Sequence, residues 1–156
     1  MRSRLLKGMG IVEVMIGASV AAVGLVAVIQ LATRAMSNSG LSARASVAAK
    51  YADEGMAWLK DWEQANGWQD IADRACVTAP CPIPSTRAYC FNDLGFTLSS
   101  CPVGDVIDGS VEFMRTMTLS TLAVGTDTVI RGRVFVTWIE GNKPYTIRRY
   151  YEFIRN

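Results

Sequence analysis

The chain has 156 residues, 16 of them basic and 14 acidic, and half of it is apolar, which suits a single domain of ordinary size. It contains no histidine; that removes the commonest general base and metal ligand, and with them Ser-His-Asp and Cys-His catalysis. Residues 1–8 hold Arg2, Arg4 and Lys7, so beyond them 13 basic residues face 14 acidic ones and bulk charge argues neither for nor against a nucleic-acid partner.

A short basic leader, residues 1–8, opens the chain and is followed by a 24-residue apolar run from Met9 to Ala32 in which Glu13 is the lone charge. About 20 apolar residues cross the hydrocarbon core of a bilayer. The basic residues lie ahead of the run and none follows until Arg34, which predicts an N-terminus in the cytoplasm and a C-terminal body outside. A carboxylate at mid-bilayer costs roughly 2.5–3.5 kcal/mol on insertion scales, so Glu13 is a functional candidate. The run is longer than the 7–15 residues of a secretory h-region, which argues against a conventionally cleaved signal ending near Ala18 or Ala21–Ala22. Gly17, Gly24 and the alanines between them would let other helices approach closely.

The helical pattern continues past a weak interruption at Ser39-Gly40. Ala45, Ala48, Ala52, Gly55, Leu59 and Trp62 recur at spacings of three and four, one face of a helix, with Lys50, Asp53, Glu54, Lys60, Asp61 and Glu63 mostly off it. With no proline before Pro80, the simplest expectation is one helix from about residue 10 to about residue 65, ending near Asn66-Gly67 and roughly 80 Å long at 1.5 Å per residue. Its first half is apolar all round and its second amphipathic. The small residues of the second half invite close packing against a sheet of the same chain, and Trp58, Trp62 and Trp68 are expected in that core.

Residues 67–110 read as a loop-rich segment that carries all four cysteines, Cys76, Cys81, Cys90 and Cys101. An even count beyond an export signal predicts two disulfides, and the most local pairing is Cys76–Cys81 with Cys90–Cys101. A four-thiolate zinc site fits poorly, because ten residues separate Cys90 from Cys101. Short strands are expected over Arg87–Phe91 and Phe96–Ser99, and longer ones over Val111–Ser120, Val129–Ile139 and Tyr145–Ile154. In the first of the long strands Val111, Phe113, Met117 and Leu119 alternate with Glu112, Thr116 and Thr118. Glu140-Gly-Asn-Lys143 is a hairpin turn signal. The expected fold class is α+β: a long N-terminal helix, membrane-spanning in its first half, packed on a three- or four-stranded antiparallel sheet.

Lys7-Gly8 followed by Met9-Gly10-Ile11-Val12-Glu13 resembles the processing site of the type IV pilin family, which includes the pseudopilins of type II secretion. The resemblance implies cleavage by a prepilin peptidase between Gly8 and Met9, N-methylation of Met9, and an assembly role for Glu13 as the fifth mature residue. The continuation from Glu13 to Leu25, Asp53-Glu54-Gly55-Met56, and Phe113-Met-Arg115-Thr-Met-Thr-Leu119 are similar to minor pilins of the pilus-modification type. Met9 stands where phenylalanine is usual, Gly10 where threonine is common, and Gln30 near where many major pilins carry a kinking proline.

The organisation expected is a leader (1–8), a transmembrane and assembly half (9–32), an amphipathic half (33–66) and a globular head (67–156). The resemblance implies a minor type IV pilus subunit, with no enzymatic activity and no cofactor, that waits in the inner membrane before joining an extracytoplasmic filament. Its expected partners are other pilins, the prepilin peptidase and the inner-membrane assembly platform. A minor pseudopilin of type II secretion and a membrane-anchored or secreted adhesion domain are the alternatives. Asp105, Asp108 and Asp127 do not have the spacing of a calcium loop. Arg131, Arg133, Lys143, Arg148 and Arg149, with Tyr145, Tyr150 and Tyr151, raise single-stranded DNA as a partner; a solvated edge hairpin explains them more simply.

Overall fold

A computed structural model describes residues 10–76, 85–98, 101–102, 104–124 and 127–154. One helix, α1, runs from Ile11 to Asn66, and Gly67, at φ +83°, ends it. Ser39-Gly40 does not interrupt it. A short helix, α2 (Trp68–Arg74), follows directly, where the sequence had suggested only loop. Five antiparallel strands come next: β1 (Thr86–Cys90), β2 (Thr97–Leu98), β3 (Met114–Val124), β4 (Asp127–Glu140) and β5 (Lys143–Phe153). They form one sheet in the order β2-β1-β3-β4-β5. The architecture is therefore α+β: a long N-terminal helix with four substantial antiparallel strands, to which the two-residue β2 adds an edge.

The chain divides into two units, residues 1–42 and 43–156. In the first, the described part of α1 exposes its apolar side chains on all sides, Ile11, Val20, Leu25 and Leu31 among them. It is long and apolar enough to cross a membrane. An isolated helix with so little to bury in water needs a non-aqueous or protein environment to cover it.

The second unit holds the core. Ala48, Ala52, Gly55, Met56 and Leu59 are the buried residues of α1, which is the face its spacing predicted, shifted toward the middle of the stripe. They lie against Phe91, Met117, Leu119, Val134 and Phe153 from the sheet side, and α2 adds Ile71 and Ala72. Two glycines set the approach. A Cβ on Gly55 would lie 3.1 Å from Arg115 Cδ and 3.2 Å from both Phe91 and Val134. On the sheet, a Cβ on Gly132 would lie 2.8 Å from Leu59 Cδ2. Helix and sheet thus meet where side chains are missing on both partners.

Strands β3 and β4 pair from Met114↔Thr137 to Val124↔Asp127, and β4 and β5 from Ile130↔Phe153 to Glu140↔Lys143. The β4–β5 turn is Gly141-Asn142, with φ +61° at Gly141, the first central position, where type II′ hairpins need glycine. The third expected strand starts later than its alternation suggested. Val111 is 94% exposed, because residues 107–113 form a turn closed by Ile107 N to Phe113 O (2.8 Å) and Ser110 N to Ile107 O (2.9 Å). From Phe113 onward the alternation holds, with Phe113, Arg115, Met117 and Leu119 inward.

Candidate functional site

Glu13 lies in the first turn of α1, exposed, and its carboxylate meets no side-chain partner among the described residues. Its neighbours Val12, Val14 and Ile16 are exposed and apolar. The space around Gly17 and Gly24, seven residues apart, is open. The expected cleavage and methylation positions, Gly8 and Met9, lie outside the described residues. Within the described part of the apolar run, residues 10–32, Glu13 is therefore the single charge.

The head is organised around a residue that sequence reasoning quoted but gave no role. Arg115 enters the core from β3 and is 1% exposed. Its Nε donates to Phe91 O (2.9 Å), its Nη2 to Asn92 O (2.9 Å), and its Nη1 to Tyr51 O (3.0 Å) and to Glu54 Oε2 (3.3 Å). The Arg115 backbone N–H donates to Asn92 Oδ1 (2.7 Å). Burial pulls the guanidinium below its ordinary pKa, and Glu54 opposes that pull. One side chain thus joins α1, the loop after β1 and β3. The stretches Asp53–Met56 and Phe113–Leu119, noted separately in the sequence, meet here. The signal was available: Phe113, Met117 and Leu119 face inward, so parity forces Arg115 inward as well.

The four cysteines behave as the local pairing requires where they are described. Cys90 and Cys101 form a disulfide. Cys76 is disulfide-bonded, while Cys81 lies outside the described residues. Asp105 sits close to Cys90 and Cys101, but their sulfurs are bonded to each other and offer no thiolate pair to a metal. Trp58 and Trp62 stack on each other at 5.1 Å and pack with Phe96, as the core expectation held. Arg74 lies 4.0 Å over the Phe96 ring and binds Asp70 at 2.7 Å, while Trp62 Nε1 donates to Asp70 Oδ2 (2.6 Å). For Asp70, partial burial acts to raise its pKa, but the hydrogen bonds from Arg74 and Trp62 and the charge of Arg74 outweigh it, so the carboxyl sits below its ordinary range.

The cationic hairpin is less cationic than its sequence suggests. Arg131 Nε binds Glu152 at 2.9 Å across the strands, and Arg149 Nε reaches Asp53 on α1 at 2.6 Å. Arg133 and Arg148 remain on the outer face of the sheet without an acidic partner among the described residues. Together with Phe135 and Tyr150 they line an open groove of about 840 Å³.

No protein-family model, curated protein or solved structure matches this chain. What stands is the architecture: a long N-terminal apolar helix whose later part packs on an antiparallel sheet, compatible with a pilin-like fold.

Proposed function

We propose that the chain is a minor subunit of a type IV pilus, cut between Gly8 and Met9, methylated at Met9, and built from the inner membrane into an extracytoplasmic filament. The observation that carries this reading is Glu13, a lone carboxylate on an exposed apolar helix, five residues beyond Gly8. An amine at a helix N-terminus meets the positive end of the macrodipole and is poorly placed there. A carboxylate one turn along a neighbouring helix neutralises it, and in an apolar bundle this pairing fixes the axial register of the two helices. Removing one partner of such a buried pair costs about 3–5 kcal/mol, enough to exclude a subunit from the filament. The similarity of Asp53–Met56 and Phe113–Leu119 to pilus-modification minor pilins favours the pilus over a secretion pseudopilus.

Two measurements test the proposal. The intact mass of the protein from membranes should correspond to a chain that begins at N-methyl-Met9; a chain retaining Met1, or starting beyond Ala18, refutes it. Glu13→Ala should be processed normally yet be missing from sheared filaments. Incorporation at the wild-type level would show that Glu13 does not set register.

A further inference from the structure

The two edges of the sheet differ. At one stands β2, two residues long; at the other stands β5, eleven residues whose register with β4 runs from Lys143 to Phe153 without a bulge. A long open edge is a template for another strand, and proteins that must avoid such pairing shorten the edge, bulge it or interrupt it with proline. The one proline of β5, Pro144, stands beside the turn and leaves the rest of the edge uninterrupted.

The main-chain groups of that edge can be assigned. In an antiparallel pair, residues that exchange bonds with the partner strand alternate with residues whose N–H and C=O turn the other way. Glu140 and Lys143 close a two-residue loop and are a bonded pair, so Tyr145, Ile147, Arg149 and Tyr151 bond to β4. Thr146, Arg148, Tyr150 and Glu152 therefore face the open edge. Pro144 belongs to the same outward set, where its missing N–H costs the ladder nothing. Arg148 O fits as well, since it accepts from a side chain, Arg149 Nη1, at 3.3 Å. No strand lies beyond β5 among the described residues, and no backbone bond outside the β4 pairing reaches it. The side chains beside this edge are cationic and aromatic. Tyr150 is 71% exposed, with Arg133 directly across from it on β4 and Arg148 two residues before it. Neither arginine has an acidic partner among the described residues, because Glu152 is taken by Arg131 and Asp53 by Arg149.

We propose that β5 takes an extended acidic segment of a different protein as an added strand, its main chain bonding to Thr146, Arg148, Tyr150 and Glu152 and a carboxylate lying beside Arg148. In strand addition the main-chain bonds supply affinity and the side chains along the edge choose the partner. A second copy of this chain is a poor occupant. Paired antiparallel at full overlap, the two β5 strands would set Arg148 opposite Arg148, and like charges directly opposed are destabilising. Nucleic acid is a poor occupant too, because the edge offers carbonyl acceptors as well as N–H donors and a phosphate backbone has no donor for them. The contact uses β5 and the arginine across from it, so it goes beyond the filament reading and does not depend on processing at Gly8.

The probe is a short peptide alternating glutamate and valine, added to the full-length chain in neutral detergent micelles, with amide exchange read by NMR. In the free chain the amides of Ile147, Arg149 and Tyr151 should exchange slowly and those of Thr146, Arg148 and Tyr150 fast. The peptide should bind and slow the second set. Arg148→Glu should weaken binding about fivefold or more. The Arg148 side chain is exposed, so the melting temperature of this variant should match wild type. A peptide N-methylated at every residue keeps the charges but cannot donate from its main chain, and it should not bind; neither should a version with lysine in place of glutamate. The proposal is overturned if the free chain shows no alternation in exchange, if the peptide leaves the outward amides unprotected, or if the N-methylated or lysine peptide binds as well. It is also overturned if raising the concentration of the chain alone, or adding a labelled single-stranded oligonucleotide, protects those amides while the acidic peptide does not.

Discussion

Replacing Arg115 with methionine tests whether the head is held by its hydrogen bonds or by its packing. Methionine keeps most of the apolar stem and removes the guanidinium. Asn92 O then loses its donor inside a buried loop, which costs about 1–3 kcal/mol. Phe91 O keeps a longer bond from Leu94 N at 3.3 Å and loses less. Glu54 is 51% exposed and its share of the pair is at most about 1 kcal/mol. Against these losses stands relief from burying a charge, the cause of the lowered Arg115 pKa. The balance is a loss of about 2–3 kcal/mol, near 10 °C in melting temperature for a head of this size. Trp58 lies edge-on to Phe91 at 5.3 Å, so tryptophan emission during urea or thermal unfolding of the disulfide-intact chain reports on this joint. Glu54→Gln should cost less than about 1 kcal/mol. If Arg115→Met melts at or above the wild-type temperature, desolvation cancels the hydrogen bonds and the joint is a packing feature.

Other substitutions probe the remaining supports. Gly132→Val sets a side chain into the place of Leu59 Cδ2, 2.8 Å from the ideal Cβ, and should destabilise the head by about 1–3 kcal/mol in chemical unfolding. Cys90→Ala/Cys101→Ala opens a loop with a sequence separation of 11 and should cost about 3 kcal/mol by the loop-entropy relation. Asp70 contributes through a lowered pKa, so its stabilisation is present above the unfolded carboxylate value near pH 4 and is lost as pH falls through the lower folded value. Asp70→Asn should therefore lower stability at pH 7 and flatten its fall below about pH 4 in melts taken across pH.

The long elements were legible because they repeat. Spacings of three and four from Ala45 to Trp62 specified both a helix and its buried face, and strict alternation from Phe113 and from Val134 specified strands and their inward sides. Short or turn-governed stretches gave no period to read. Trp68–Arg74 makes fewer than two turns, and contacts distant in sequence help hold it as a helix: the packing of Ile71 and Ala72, the bond from Trp62 to Asp70, and Tyr89 Oη donating to Arg74 O at 2.7 Å. Val111 alternates correctly with Phe113 but precedes the strand, since the Ile107–Phe113 turn captures the backbone first. Charge partners are still less visible. Arg149 and Asp53 are 96 residues apart in sequence, and no local pattern pairs them; the β4–β5 register and the approach of α1 do.

The contrast between Arg115 and Glu13 distinguishes a charge that serves the fold from one that does not. Arg115 is buried, and each of its three guanidinium nitrogens has an acceptor drawn from the same chain. Its role ends within the molecule, and its loss should appear as instability. Glu13 sits among exposed valines and isoleucines with no side-chain partner among the described residues. A carboxylate kept in such surroundings gains nothing for this chain alone, and transfer into an apolar environment penalises it unless an opposite charge arrives. The proposed assembly supplies that charge as a neighbour's amine. On this reasoning the loss of Glu13 should leave the melting of the head untouched and appear only when subunits meet.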